Sequence, residues 1–369
     1  MNICIEAQLL NHPRRSGLMT YTESLVNGMS RIDQENDYAL AYYSLKRKPE
    51  EMPGPENGNF RKAVVKVPDR EFVGRQAVID QIFLPWFLKK NKVKVFHRPA
   101  GYTMPAGNGI FKILTVHDLR TLTIGDRFWT QNIAQYKRTL SQVDICVVIS
   151  QCTKKDLVEH FQMDEHKIKV IYLGADERFK QAPENQIKQI RSKYQLNEPF
   201  LLSVGSVPRK NIEGIIRGFA ASTVRDDYLL VLTCNYDIVK YKFLANNLGV
   251  GKRIRILDQL GDEEIVALYS GCHCFVFPSL YEGFGLPILE AMQCGAPVIT
   301  SNGSSCPEVA GDSAILVNPN EVEEITGAID QICHDEKLRK EFIEKGFRRA
   351  KMFSWQNFAQ EMKKVYSMA

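Results

Sequence analysis

FPSLYEGFGLPILEAMQCGAPVIT, residues 277–300, is the stretch whose reading decides this fold. The apolar run His273 to Phe277 ends at Pro278-Ser279, the pattern of a short buried strand. A loop with two glycines follows. Pro287 then opens an apolar helical run, as proline does at a first helical position. Glu282 lies in the loop and Glu290 one turn inside the helix. Helical side chains lean toward the N-terminus, so Glu290 points back toward the loop that carries Glu282. Gly283 and Gly285 let a ligand approach the backbone closely. The amides of Phe284, Gly285 and Leu286 make a donor-rich, positive helix end. Carboxylates for hydroxyls and amides for anionic or ring oxygens suit a polyhydroxylated ligand. The plainer alternative is a structural strand–loop–helix with two solvated glutamates.

A chain of 369 residues exceeds what one core usually supports, which predicts two domains. The net charge of +5 and a pI near 8.6 suit an anionic ligand or an anionic membrane surface. They do not argue for nucleic acid. The nine cysteines form no C-x-x-C pair, and Cys272-His273-Cys274 reads as core packing on a buried strand rather than a metal pair. With no signal-peptide pattern, a reducing cytoplasm is expected. No apolar run approaches the roughly 18 residues of a bilayer span.

Asn2 to Glu6 reads as a first strand, and the loop Gln8 to Ser16 carries Arg14 and Arg15. Gly17 then precedes a periodic helix running to about Met29, a phosphate-binding arrangement in principle. A G-x-G-x-x-G fingerprint is missing. Residues 46–62 read as an exposed loop. In the segment Phe72 to Lys94, Ile82, Phe83, Trp86 and Phe87 abut Lys89, Lys90, Lys92 and Lys94. Helices lying on anionic membranes have that mix, and so do internal helices that end in lysines. Val93 to Phe96 and Phe111 to Val116 read as strands, followed by His97 and His117. A histidine at a strand's C-terminal end faces the crevice of an open α/β sheet. His97 is assigned to ordering its loop.

Phe200 to Val204 is a further strand. The loop Gly205-Ser206-Val207-Pro208-Arg209-Lys210-Asn211 follows and feeds a helix from Ile212. Two cations at a helix N-terminus after a strand are what a diphosphate needs. Strand–helix alternation continues through Tyr228–Thr233, Ile254–Leu257, Cys274–Phe277, Val298–Thr300 and Ala314–Val317. No serine elbow, P-loop or D-x-D is present, so neutralising a diphosphate falls to Arg209 and Lys210.

The run Glu-Gly-Phe-Gly-Leu-Pro-x-x-Glu, its glutamates seven residues apart, resembles the E-x7-E signature of retaining glycosyltransferases with the GT-B fold, family GT4. P-R-K-N, T-V-H-D-L and Gly174-Ala175-Asp176 resemble further family segments, with Leu173 where the family usually has Asn. Ser206 stands where many members have Arg, and Asp258 where Gly is common, which leaves the nucleotide base open. The resemblance implies an α/β GT-B fold of two Rossmann-like doubly wound domains facing across a cleft. Residues 1–180 would bind the acceptor, with a C-terminal helix over 355–369 packing back on them, and residues 181–354 would bind the nucleotide sugar.

By the same resemblance, Glu290 holds the ribose. Glu282, with the backbone of Gly283, Phe284, Gly285 and Leu286, holds the sugar. Arg209 and Lys210, after Gly205, stabilise the leaving diphosphate. His117 orients the sugar, and Gly17 approaches the diphosphate or the acceptor. No metal and no cofactor beyond the nucleotide diphospho-sugar co-substrate is expected. The combination is similar to bacterial surface-polysaccharide mannosyltransferases, which points to GDP-mannose ahead of a UDP-sugar or dTDP-rhamnose. The implied acceptor is a lipid-linked glycan, on the inner face of the plasma membrane. A non-catalytic sugar-nucleotide-binding module on this fold is the competing reading, as are phosphorolysis and epimerisation.

Overall fold

The computed structural model describes residues 1–12, 16–56, 58–70, 74–119, 127–205 and 207–369, with no side-chain description for 127–132. Arg14, Arg15, Phe72 and Ser206 lie outside the described residues. The chain divides into two compact units, Met1–Gly174 with Trp355–Ala369, and Ala175–Ser354. The second unit thus starts at Ala175 rather than 181. The Ala175 amide donates to the Phe353 carbonyl at 3.1 Å, and Arg178 reaches Asp262 at 2.6 Å, which ties these residues to the second unit.

In the first unit the strands are β1 Asn2–Glu6, β2 Asp37–Tyr43, β3 Phe60–Val65, β4 Val95–Arg98, β5 Phe111–Val116, β6 Ile145–Val148 and β7 Ile168–Val170. They form one parallel sheet in the order β3-β2-β1-β4-β5-β6-β7. The direction of strand order reverses between β1 and β4, the switch point where open α/β sheets bind ligands. Residues 46–62 are therefore not loop throughout. Phe60 opens β3 because its ring stacks on Tyr38 (4.3 Å between centroids) and is buried there.

β4 likewise extends through His97 and Arg98, which corrects the assignment of His97 to a loop. The His97 ring is wholly buried between the Tyr366 hydroxyl (2.7 Å) and Thr115 Oγ1 (2.8 Å). It thereby anchors the terminal helix Trp355–Tyr366, which belongs to this unit. Burial pushes the His97 imidazole down to about 3, so it is neutral. Arg98, also buried, is neutralised by Glu6 and by Asp80 at 2.7 Å. Asp80 comes from a widened π-turn, Ile79–Phe83, inside an otherwise α-helical run from Arg75 to Lys90. Pro85 lacks an N–H and crowds the carbonyl one turn back, and the wider turn relieves both.

The second unit contains β8 Phe200–Val204, β9 Leu229–Thr233, β10 Ile254–Leu257, β11 Cys274–Phe277, β12 Val298–Ser301 and β13 Ala314–Val317. All are parallel, in the order β10-β9-β8-β11-β12-β13. Helices cover both faces of such a sheet, so its strands read as unbroken apolar runs such as FLLSV and LLVLT. Here the strand order reverses between β8 and β11. The loops that leave those two strands are the ones carrying Arg209–Lys210 and Glu282.

Candidate active site

Gly205 leaves β8 with φ +106°, and a Cβ there would lie 3.1 Å from the Lys210 stem. A glycine therefore lets the loop fold Lys210 back over its own start. A single 3₁₀ turn, Pro208–Lys210, presents the two cations, and Asn211 (φ +57°) starts the helix Ile212–Ala221. Asn211 Nδ2 donates to the Pro319 carbonyl at 2.6 Å and to the Pro278 carbonyl at 3.3 Å, pinning this loop to the one after β11. The Leu280 amide adds a 2.8 Å bond to the Arg209 carbonyl.

Glu282 is the centre of the arrangement and is only 6% exposed. Its Oε1 accepts from Lys210 Nζ (2.7 Å) and Ser279 Oγ (2.6 Å), and its Oε2 forms an ion pair with Arg209 Nη1 (2.7 Å). Burial pushes the Glu282 carboxyl up, but Lys210, Arg209 and Ser279 together outweigh it and hold it below the usual carboxylate range. Burial, helped by Arg209, moves the Lys210 amine the other way, down from its ordinary value. The Lys210 ammonium also sits 4.3 Å above the Phe277 ring. Two cations and one carboxylate leave one net positive charge on the cluster. The resemblance places Glu282 on the sugar; in the fold it is engaged by both cations and by the Ser279 hydroxyl, and about one of its four lone-pair positions remains.

The backbone of the Glu282 loop is fixed by serines. Ser304 Oγ accepts from the Glu282 amide (3.0 Å), while Ser305 Oγ reaches the carbonyls of Glu282 (2.9 Å) and Phe284 (2.8 Å). Gly285, at φ +103°, turns the chain into the helix Leu286–Gln293. Pro287 removes one donor from its first turn, and the Ile288 amide is spent on the Gly285 carbonyl at 2.9 Å. The donor row expected there is thus shortened to the amides before Pro287. Within the helix, Glu290 Oε2 accepts from the Tyr269 hydroxyl at 3.2 Å. Burial pushes the Glu290 carboxyl up to about 7, against the pull of Tyr269, Arg178 and Lys210.

In the first unit, His117 follows β5 and its Nε2 meets the Pro99 carbonyl at 2.8 Å. A carbonyl only accepts, so Nε2 carries the proton. Burial lowers the pKa of this imidazole, which is then neutral with Nδ1 as an acceptor. Tyr21 braces the ring edge-on (4.7 Å between centroids) while its hydroxyl meets Thr115 Oγ1 at 2.8 Å. Gly17 is the first residue of the helix Gly17–Ile32, capped by Ser16, and a Cβ there would meet nothing within 4 Å. Among the described residues no group of three or more His, Cys, Asp or Glu side chains is placed to hold a metal ion. Cys272 and Cys274 are buried free thiols.

The sequence model for Glycosyltransferase Family 4 matches residues 15–179, and that for Glycosyl transferases group 1 matches residues 185–349. This chain belongs to the family 4 glycosyltransferases. It is 28% identical over 338 residues to the O-antigen chain mannosyltransferase B of Escherichia coli, covering 86% of this chain and 88% of that one. It is 30% identical over 366 residues to the serotype-specific mannosyltransferase WbdA of Escherichia coli. There it covers 91% of this chain but spans only 43% of WbdA. Among solved structures, the sucrose-phosphate synthase of Thermosynechococcus elongatus superposes with a TM-score of 0.77 at 18% identity, covering 100% of this chain and 98% of that one. The fold is therefore GT-B.

Several residues of the candidate site are not legible in the sequence. Ser279 was read only as the stop of a strand, and Ser304 and Ser305 lie in an unremarkable Asn-Gly-Ser-Ser loop. Ser279 is only three residues from Glu282, a bond within local reach, whereas Ser304 and Ser305 meet the Glu282 loop only when β11 and β12 pair. Tyr269 lies near the end of a helix, 21 residues before Glu290, and only packing brings the two together.

Proposed function

We propose that this glycosyltransferase moves mannose from GDP-mannose to a hydroxyl of a growing surface glycan, with retention of the anomeric configuration. The observation that carries the reading is the buried Arg209–Glu282–Lys210 cluster, one positive charge in excess, at the switch point of the second sheet. It suits a diphosphate. In the proposed step, the bond from the anomeric carbon to the diphosphate breaks as charge builds on the phosphate, and Arg209 and Lys210 stabilise that charge. The acceptor hydroxyl attacks from the same face and passes its proton to the departing phosphate oxygen. Glu290 accepts from the ribose hydroxyls, and the remaining lone pair of Glu282 with the backbone of 283–286 receives the sugar. His117 Nδ1 accepts from a sugar hydroxyl, and Gly17 leaves its helix start open to the diphosphate or the acceptor. Mannose is favoured by the names of the two relatives. No metal is required, since Arg209 and Lys210 are placed to supply the positive charge.

The test is turnover of GDP-mannose against a UDP-sugar and dTDP-rhamnose with a mannan-type lipid-linked acceptor. The anomeric configuration of the product is then read by NMR. Transfer from GDP-mannose with an α-linkage supports the reading; transfer from another donor only, or a β-linked product, overturns it.

The acceptor side carries a second proposal, reversible association with an anionic membrane. Ile82 and Trp86, one helical turn apart, are 60% and 63% exposed, and Lys90 Nζ lies 4.8 Å from the Trp86 ring. Lys89, Lys92 and Lys94 are exposed in the same segment, and Lys46, Arg47 and Lys48 are exposed in the same unit. Phe87, expected at the membrane, is buried in the core instead, because it sits on the opposite face of the helix. No described helix is long and apolar enough to cross a bilayer.

A further inference from the structure

We propose that Tyr269 is a positioning residue for Glu290. Its hydroxyl holds one carboxylate oxygen so that the other stays available to the ribose hydroxyls of the donor. The inference rests on the donor reading above and goes on to a residue outside the two-glutamate motif.

Tyr269 lies near the end of the helix Asp262–Gly271 and is wholly buried. Its ring is held edge-on by Phe275 (5.1 Å between centroids) and Phe179 (5.9 Å). A tyrosine has two side-chain torsions, and packing fixes both, so the hydroxyl has one place to point. That place is Glu290 Oε2, at 3.2 Å. Burial, followed by the neighbouring Glu290 charge, pushes the phenol well above its ordinary value, so it stays a donor at every working pH. Glu290 Oε1 has no hydrogen-bond partner among the described residues. A glutamate one turn inside a helix would otherwise sample several rotamers, and a carboxylate that must meet two vicinal hydroxyls loses affinity with each.

The charge state points the same way. The titratable and charged groups facing Glu290 are Asp176, Arg178, Lys210, Tyr269 and Cys294. Arg178 pulls the Glu290 carboxyl down while also pairing with Asp176 (3.1 Å) and Asp262 (2.6 Å). Burial outweighs them all and holds the carboxyl near 7. A donated hydrogen bond favours the ionised form, so removing the Tyr269 hydroxyl raises that value further.

Tyr269→Phe keeps the ring and removes the bond. The first readout is the side-chain carboxyl carbon of Glu290 in glutamate-labelled protein, identified by its disappearance in Glu290→Gln. It should titrate at higher pH in Tyr269→Phe than in wild type. The second is calorimetric binding of GDP, UDP and dTDP from pH 6 to 9. The preferred nucleotide should bind about tenfold more weakly at pH 7, the scale of one hydrogen bond to a charged group, and the loss should shrink toward pH 9. Melting temperature reports any damage to the fold. An unmoved carboxyl titration, or an affinity loss that is the same at every pH, overturns the positioning role and leaves the donor reading intact. Wild-type protein that binds no nucleoside diphosphate overturns the donor reading itself.

Discussion

Lys210 Nζ and Glu282 Oε1 lie 2.7 Å apart, in a place where both residues are less than a tenth exposed. Two charges so far from water are tolerated because each completes the other's hydrogen bonding, and truncating one strands its partner. Arg209 closes the triad on the second carboxylate oxygen. In the proposed reaction a phosphate would meet cations already in position, with no side chain to be ordered at that moment.

Lys210→Ala should lower turnover at saturating donor by about 10²-fold or more, the scale for one preorganised charge stabiliser. Arg209 remains on Glu282 in that variant, so the protein should still melt cooperatively. Steady-state kinetics together with a melting curve check both statements. Turnover should survive EDTA; loss on chelation with recovery on added magnesium would contradict the metal-independent step.

Glu290→Gln should stabilise the unliganded protein at pH 8, by on the order of 2 kcal/mol. The sign follows from a carboxyl held near 7 in the fold, above its ordinary range. Between the unfolded value and 7 the native state binds more protons than the unfolded chain, so stability falls as pH rises through that window. Gln removes the penalty and also flattens the pH dependence of donor binding between pH 6 and 8. Melting temperatures at pH 5 and pH 8 test the first effect, with wild type and variant converging at pH 5.

His97 should dominate part of the acid limb of stability. Its imidazole is pushed down to about 3, so the unfolded chain binds the proton first as pH falls below about 6.5. Stability from this residue is complete above that pH and is lost progressively between about 6.5 and 3. His97→Gln should cost stability at pH 7, through the bonds to Tyr366 and Thr115, yet show a shallower decline toward pH 4. Denaturant titrations at both pH values decide it.

Membrane association should fade with salt, since screening shortens from about 10 Å at 0.1 M to about 3 Å at 1 M. Each lysine near an anionic leaflet is worth about 1 kcal/mol, so Lys89→Glu/Lys90→Glu should abolish pelleting with anionic vesicles. Trp86→Ala should weaken it at all salt concentrations. Phe87→Ala should instead destabilise the fold, because that ring is 8% exposed and packs in the core. Equal pelleting on neutral and anionic vesicles would contradict the proposal.

By itself, the sequence determined the two-domain α/β architecture and the address of the second-unit site. Strands buried on both faces must be apolar runs, and a loop that brings charges to a helix start needs glycine before it; both leave marks along one dimension. The strand β8, the Gly205–Asn211 loop, the strand β11 and the two glutamates were legible for that reason. Tertiary structure alone decided how the charges are used. Glu282 turned out to hold Arg209 and Lys210, because β8 and β11 are neighbours in the sheet although 72 residues separate Lys210 from Glu282. The same holds for Tyr269 on Glu290, for the serines behind the Glu282 loop, and for His97, whose partner Tyr366 lies 269 residues away. Period and composition describe what a segment must bury, whereas a hydrogen bond between distant residues depends on strand order and helix docking, which no local pattern encodes.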